Sequence, residues 1–215
     1  KMKKIFAIIS TIMLVTSFSA KADIQVGFGL ITGNVSADGT ENEGTAADTS
    51  TRTKSFDEFF VGADIFMEHV SDSGFTLGLS YVPIDQEIGS GDRNDSATTT
   101  AAGGAENDTG ARSASADVTD LITLYTNIPL GSNGWYGLVG GSMATITTSE
   151  TLPNSSYGNE DVYAYQVGLG RRADKVKAEL FYTDFEDIDI SSSGGGTNSI
   201  NADIDALTFR LSIGF

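Results

Sequence analysis

A two-residue alternation of apolar and polar side chains recurs along this chain, and it constrains the fold more than any other feature. The last stretch, LTFRLSIGF, puts Leu207, Phe209, Leu211, Ile213 and Phe215 on one face and Thr208, Arg210, Ser212 and Gly214 on the other. Such alternation marks a strand whose two faces meet different surroundings. The pattern predicts eight strands, at 23–33, 56–68, 75–86, 117–129, 135–147, 161–171, 176–187 and 203–215. No 3.6-residue periodicity competes with it after residue 22. In the first strand Ile24, Val26, Phe28 and Leu30 share a face. In the second, Phe59, Val61, Ile65 and Met67 oppose Glu58, Asp64 and Glu68. The strand over 135–147, WYGLVGGSMATIT, shows no clear outward face.

The connections carry the topology. Gaps 34–55, 87–116, 148–160 and 188–202 are long, while 69–74, 130–134 and 172–175 are short. Long and short alternate strictly, so each short gap closes a hairpin and both termini fall on the short-turn side. An even strand count with short turns at one end and long loops at the other is the layout of a transmembrane β-barrel. Each predicted strand is long enough to cross a bilayer at a tilt, which takes about 9–11 residues. Closing the ring satisfies every backbone donor and acceptor, as lipid cannot. The expectation is therefore an all-β fold, an eight-stranded antiparallel up-and-down barrel over 23–215. Its apolar face looks out to lipid and its polar face inward, with 34–55, 87–116, 148–160 and 188–202 as extracellular loops.

The first 22 residues read differently. Lys1, Lys3 and Lys4 precede a short apolar run from Ile5 to Val15, and Ala20-Lys21-Ala22 has the small-x-small form of a cleavage site. This predicts a cleavable signal peptide over 1–22, too short in its apolar core for a membrane anchor. The formal charge of −16 argues against nucleic acid as a partner, and the absence of cysteine excludes disulfides and thiolate metal sites.

A terminal Phe215 preceded at alternate positions by Ile213, Leu211 and Phe209 resembles the C-terminal assembly signal of bacterial outer-membrane barrels. With eight strands and four exposed loops, the chain resembles the OmpA-like transmembrane domains, OmpX-like proteins and opacity-type surface proteins. The resemblance is one of pattern over the predicted mature chain. It implies export to the outer membrane of a Gram-negative bacterium, insertion by the barrel-assembly machinery, and a monomer surrounded by lipid and lipopolysaccharide.

Side-chain chemistry points away from catalysis. The one histidine, His69, falls in the short-turn stretch HVSDSG, where no nucleophile is paired with it. DRNDSA, beginning at Asp92, lacks the glycine and distal glutamate of a calcium loop, and GFGLITG, beginning at Gly27, lacks the dinucleotide spacing. No catalytic, cofactor or metal site is assigned. The predicted inward faces do carry charge: Glu58, Asp64, Glu68, Lys177, Glu179 and Arg210. Adjacent strands should bring Glu179 to Arg210. An interior this narrow is filled by side chains, so these residues form either a plug of ion pairs or a narrow gated ion path. Asp57, Glu58, Asp85, Glu87, Asp117, Asp120, Asp161, Asp187, Asp203 and Asp205 gather near the long-loop ends, and Arg171, Arg172, Lys175 and Lys177 near the short turns. The acid rim is either simply solvated or bridged to lipopolysaccharide through Mg²⁺ or Ca²⁺. The functional expectation is a non-enzymatic surface barrel with an envelope-integrity or surface-interaction role. The alternatives are a narrow cation-preferring channel and, further off, a soluble ligand-binding barrel.

Overall fold

The computed structural model describes residues 23–45, 48–95, 110–151, 156–193 and 199–215. The leader expected over 1–22 lies outside them, as does the middle of the loop expected over 87–116. The strands are β1 Asp23–Thr45, β2 Asp48–Val70, β3 Thr76–Val82, β4 Gln86–Asp95 and β5 Gly110–Pro129, then β6 Trp135–Glu150, β7 Asn159–Ala173, β8 Val176–Phe185, β9 Ile188–Ser191 and β10 Ser199–Gly214. Neighbours along the wall pair antiparallel, and β10 returns to β1 in a register running from Gly27↔Gly214 to Asn42↔Ser199. The sheet therefore closes. β3 and β4 form one stave, both laddered to β5, and β8 and β9 form another, both laddered to β10. Counted this way the wall has eight staves, the up-and-down barrel the alternation predicts.

The apolar face points away from the lumen. Exposure runs from 47% at Leu211 to 67% at Val61, with Phe28, Leu30, Ile65 and Leu169 between. A continuous exposed belt of this kind would drive association in water. In hydrocarbon it is the solvated surface, and the closed ladder leaves no lipid-facing backbone to satisfy where it is complete. β6 also resolves: Tyr136, Leu138, Ser142, Ala144 and Ile146 face in, and Trp135, Val139 and Met143 face out.

The tight turns and both ends of the described chain share one rim. At the β6 end of the second turn, the Leu130 N–H donates to Trp135 O, and the Arg172 N–H donates to Gly134 O at 2.8 Å. Gly134 has φ +77°, and a Cβ there would lie 2.2 Å from Arg172 O, so only glycine fits. Phe209, Leu211 and Ile213 share the outward parity of β10. Phe215 continues it, stacks on Phe28 with centroids 6.2 Å apart, and donates its N–H to Val26 O.

The loop expectations need correction. The stretch 34–55 is a hairpin laddered up to Thr45↔Asp48. Much of 87–116 is β4 laddered to β5, and 188–202 contains β9 and the start of β10. In 148–160, strand continues through Glu150 and resumes at Asn159. Apolar alternation marks only the length of strand that meets hydrocarbon. Beyond it the outer face meets water, so Ser, Thr and Asp serve, while the backbone ladder still satisfies its own polar groups.

Candidate functional site

The lumen has two unlike halves. Nearer the short turns it is crossed by ion pairs. The β8–β10 register sets Arg210 directly beside Glu179, and Arg210 Nε donates to Glu179 Oε2. Arg210 also reaches across β1 to Asp64 on β2, its terminal nitrogen 3.0 Å from Oδ2. Lys177 bonds Glu68 from three staves away, and Arg172 meets the same carboxylate at 2.6 Å. Two tyrosines brace the acids: Tyr125 Oη donates to Glu68 at 2.8 Å and Tyr136 Oη to Glu179 at 2.7 Å. Lys177 lies 4.1 Å from the centre of the Phe66 ring. Such groups are costly to bury unless paired, and here each cation has a carboxylate. The rings fit because the wall beneath them is bare: a Cβ on Gly78 or Gly170 would lie within 2.7 Å of the Tyr125 or Tyr136 ring atoms.

Of the six residues predicted for the lumen, the structure joins Asp64, Glu68, Lys177, Glu179 and Arg210 in this cluster. Glu58 is the exception. It shares the inward parity of β2 and pairs with Val35 of β1, but stands exposed. Three members were not assigned to the lumen from sequence: Arg172, Tyr125 and Tyr136.

The outer half is apolar, where the alternation led to the expectation of a polar inward face. Val35, Ile88, Val118, Phe181, Phe185 and Ala206 wall a cavity of about 70 Å³. A ring of Ser80, Thr123, Gln166, Thr183 and Thr208 lines it, and Asp64 and Arg210 line it where the ion pairs begin. Above it Ala37, Ile146, Val162, Ile188 and Ile204 pack into an apolar neck. Beyond the neck is a vestibule of about 410 Å³, lined by Glu41, Lys54, Arg112, Glu150 and Tyr157 among others. Tyr157 is tied there, its hydroxyl 2.6 Å from Glu41 and its N–H 2.9 Å from Glu150.

The wall beside the cavity is not fully zipped. β2 is laddered to β3 from Val70↔Thr76 only as far as Ile65↔Tyr81, and β4 is laddered to β5 alone. Chain direction breaks at Pro83–Asp85, where the Gln86 amide donates to Ile84 O at 3.0 Å and Asp85 O at 3.1 Å. Opposite this break β5 carries a bulge between Thr119 and Ile122, with Asp120 at φ 52°. Side chains span the seam between β2 and β4: Lys54 Nζ donates to Ser90 O at 3.3 Å, and Phe56 packs over Gly89. Phe60, Asp64, Val82, Gln86 and Ile88 border both the seam and the cavity. The lipid-facing Val61 and the exposed Ile84 set its lower end at the depth of the apolar belt.

Outside the lumen, Asp38, Asp57, Asp184, Asp203 and Asp205 meet across β1, β2, β8 and β10 on the rim. Partial burial, then these neighbouring carboxylates, raise Asp205 above the usual carboxylate range. Among the described residues no group of acids and histidines is arranged to hold a metal ion. His69 lies within β2 rather than in the turn the sequence suggested.

No protein-family model matches this sequence, and no curated protein matches it. Solved structures do. The outer-membrane protein AlkL, determined in lipid bilayers, superposes with a TM-score of 0.50 at 13% identity, covering 93% of this chain and 94% of its own. OprG of Pseudomonas aeruginosa gives 0.48 at 11% identity, covering 89% and 97%. The Neisserial surface protein A gives 0.37 at 9% identity, covering 86% and 97%. At such identity the likeness is one of fold.

Proposed function

We infer that this chain, an eight-stranded barrel of the outer-membrane type, sits in the outer membrane of a Gram-negative bacterium and passes small apolar molecules from its outer mouth into the surrounding lipid. The observation that carries the reading is the placement of an apolar cavity against an unladdered seam at belt depth, directly above a floor of ion pairs. An apolar neck favours dry solutes over ions. A path that turns sideways needs no opening through the charged floor. The reading is non-enzymatic, since it asks only for passage. A narrow cation path fits less well, because ion pairs and the Tyr125 and Tyr136 rings occupy the lower lumen. Assembly machinery reading Phe209, Leu211, Ile213 and Phe215, and lipopolysaccharide packed round the belt with Mg²⁺ or Ca²⁺ at the acid rim, belong to the same proposal.

Locking the seam tests it. The chain has no cysteine of its own, so Gly62→Cys and Gln86→Cys can be joined by a short cross-linker. A Cβ on Gly62 would lie 3.1 Å from the Gln86 amide nitrogen. Transfer of an apolar fluorophore into proteoliposome lipid should fall to the rate of protein-free vesicles when cross-linked and recover on cleavage of the link. Equal rates in both states would remove the lateral route.

A further inference from the structure

Passage from the outer mouth needs a way through the neck, and the neck is shut. Ala37, Ile146, Val162, Ile188 and Ile204 are buried there in one cluster. Every described member of that cluster projects from a strand except Tyr157. A strand-borne side chain can withdraw only if the ladder gives way. Tyr157 sits between β6 and β7, in a stretch that belongs to no strand. It is 7% exposed, packs with the neck and lines the vestibule above, so it forms the boundary between the two. Two of its hydrogen bonds reach opposite walls. The N–H donates to Glu150 on β6, and the hydroxyl donates to Glu41 on β1. β6 lies four staves from β1 in a ring of eight, directly across the mouth. The backbone on either side of Tyr157 is pinned as well. Thr148 Oγ1 donates to Gly158 O at 2.8 Å, and the Ser193 N–H donates to Ser156 O at 2.8 Å.

Resting on the passage of apolar molecules inferred above, we propose that Tyr157 is the bolt of the outer mouth. Its ring closes the neck, the bond to Glu41 holds it shut, and a solute enters when the ring swings up into the vestibule. The vestibule, at about 410 Å³, has room for the displaced ring. The backbone need not move, because the bonds at Glu150, Gly158 and Ser156 hold it while the side chain turns. Opening costs the hydroxyl its bond to a carboxylate and bares apolar walls in the neck. An apolar solute covers those walls again and a hydrated ion does not, so the bolt yields to the first and resists the second.

The test reads the neck directly. Ala37→Cys puts a single thiol in the neck of a chain that has no other. The protein in lipid nanodiscs is then treated with a small water-soluble thiol reagent, and labelling should be slow with the bolt in place. Tyr157→Phe keeps the ring and loses the bond, and Glu41→Ala loses the same bond from the opposite wall. Each should speed labelling about tenfold, as one hydrogen bond to a charged acceptor supplies. The two combined should go no further than either alone, because they remove one shared bond. Tyr157→Ala removes the ring and should label fastest, and the milder pair carries the test if that variant fails to fold. Apolar-dye transfer into proteoliposome lipid should rise in the same order. Equal labelling of Tyr157→Phe, Glu41→Ala and their parent, or additive effects of the pair, would overturn the bolt while leaving apolar passage standing. Labelling that follows Tyr157 and Glu41 as expected, with no dye transfer by any variant, would overturn the passage reading alone.

Discussion

The two halves of the lumen solve the same problem in opposite ways. Both must fill a narrow tube whose outer surface is committed to lipid. The half near the short turns fills it with charge, and the geometry there is strict: Glu179 needs Arg210 and Tyr136, and Glu68 needs Arg172, Lys177 and Tyr125. The outer half fills it with aliphatic and aromatic side chains and leaves space. Ion pairs give a closed floor because losing one partner strands the other. Apolar packing tolerates a cavity, because its walls need no particular partner. The difference separates what holds the barrel from what the barrel can hold.

This contrast can be broken or sharpened by mutation. The largest effect is expected from Arg210→Met, which leaves Glu179 and Asp64 buried without their shared cation. It should cost about 3–5 kcal/mol, read as a lower urea midpoint for protein refolded in vesicles. Replacing Glu179 by Gln in the same chain should recover part of the loss, and no recovery would mean that the ion pair is not the source. Next comes Leu211→Arg on the lipid face, expected at about 2–4 kcal/mol for a mid-bilayer position. Ser212→Arg, 3% exposed and facing in, should instead disturb the lumen without altering insertion into lipid. Equal tolerance of the two would contradict the assignment of faces. Ala206→Phe places a ring in the outer cavity and should cost at most about 1–3 kcal/mol. The folded barrel should survive on an unheated gel while dye transfer is lost. Failure to fold would show that the outer half is as strict as the inner.

The smallest effect concerns the rim. The folded-state pKa of Asp205 is raised, so the folded protein holds that proton more tightly than the unfolded chain. Stability from this group is therefore present below the ordinary aspartate range and is lost as pH rises through the raised value. Asp205→Asn should lift the thermal midpoint slightly at neutral pH and flatten its decline over that acidic window. An unchanged pH profile would mean that the carboxylates on the rim do not repel one another appreciably.

What the sequence made legible was set by how locally the information is written. Glu179 and Arg210 could be paired because each lies on the inward parity of an adjacent strand. Arg172 belongs to the same parity as Gln166 and Gly170, and continuing that count to the strand's end would have placed it in the lumen. The tyrosines left a fainter sign, inward glycines such as Gly78 and Gly170 facing bulky neighbours. The reach of Arg210 to Asp64, or of Lys177 to Glu68, spans staves distant in sequence, and alternation within one strand cannot register it. The apolar outer lumen was hidden for a related reason. Where both faces of a strand are apolar the alternation fades, and 135–147 gave just that ambiguous signal. The seam had one local mark, Pro83, which cannot donate to a ladder and belongs at an edge or a break.

The central claim is a lumen sealed to ions at its floor yet open sideways to apolar solutes. Recording ion flux and apolar-dye transfer together, on one proteoliposome preparation of the refolded wild-type protein, tests it most directly. The account predicts dye transfer well above that of protein-free vesicles, with ion flux no greater than theirs. Steady ion flux without any acceleration of the dye would contradict it.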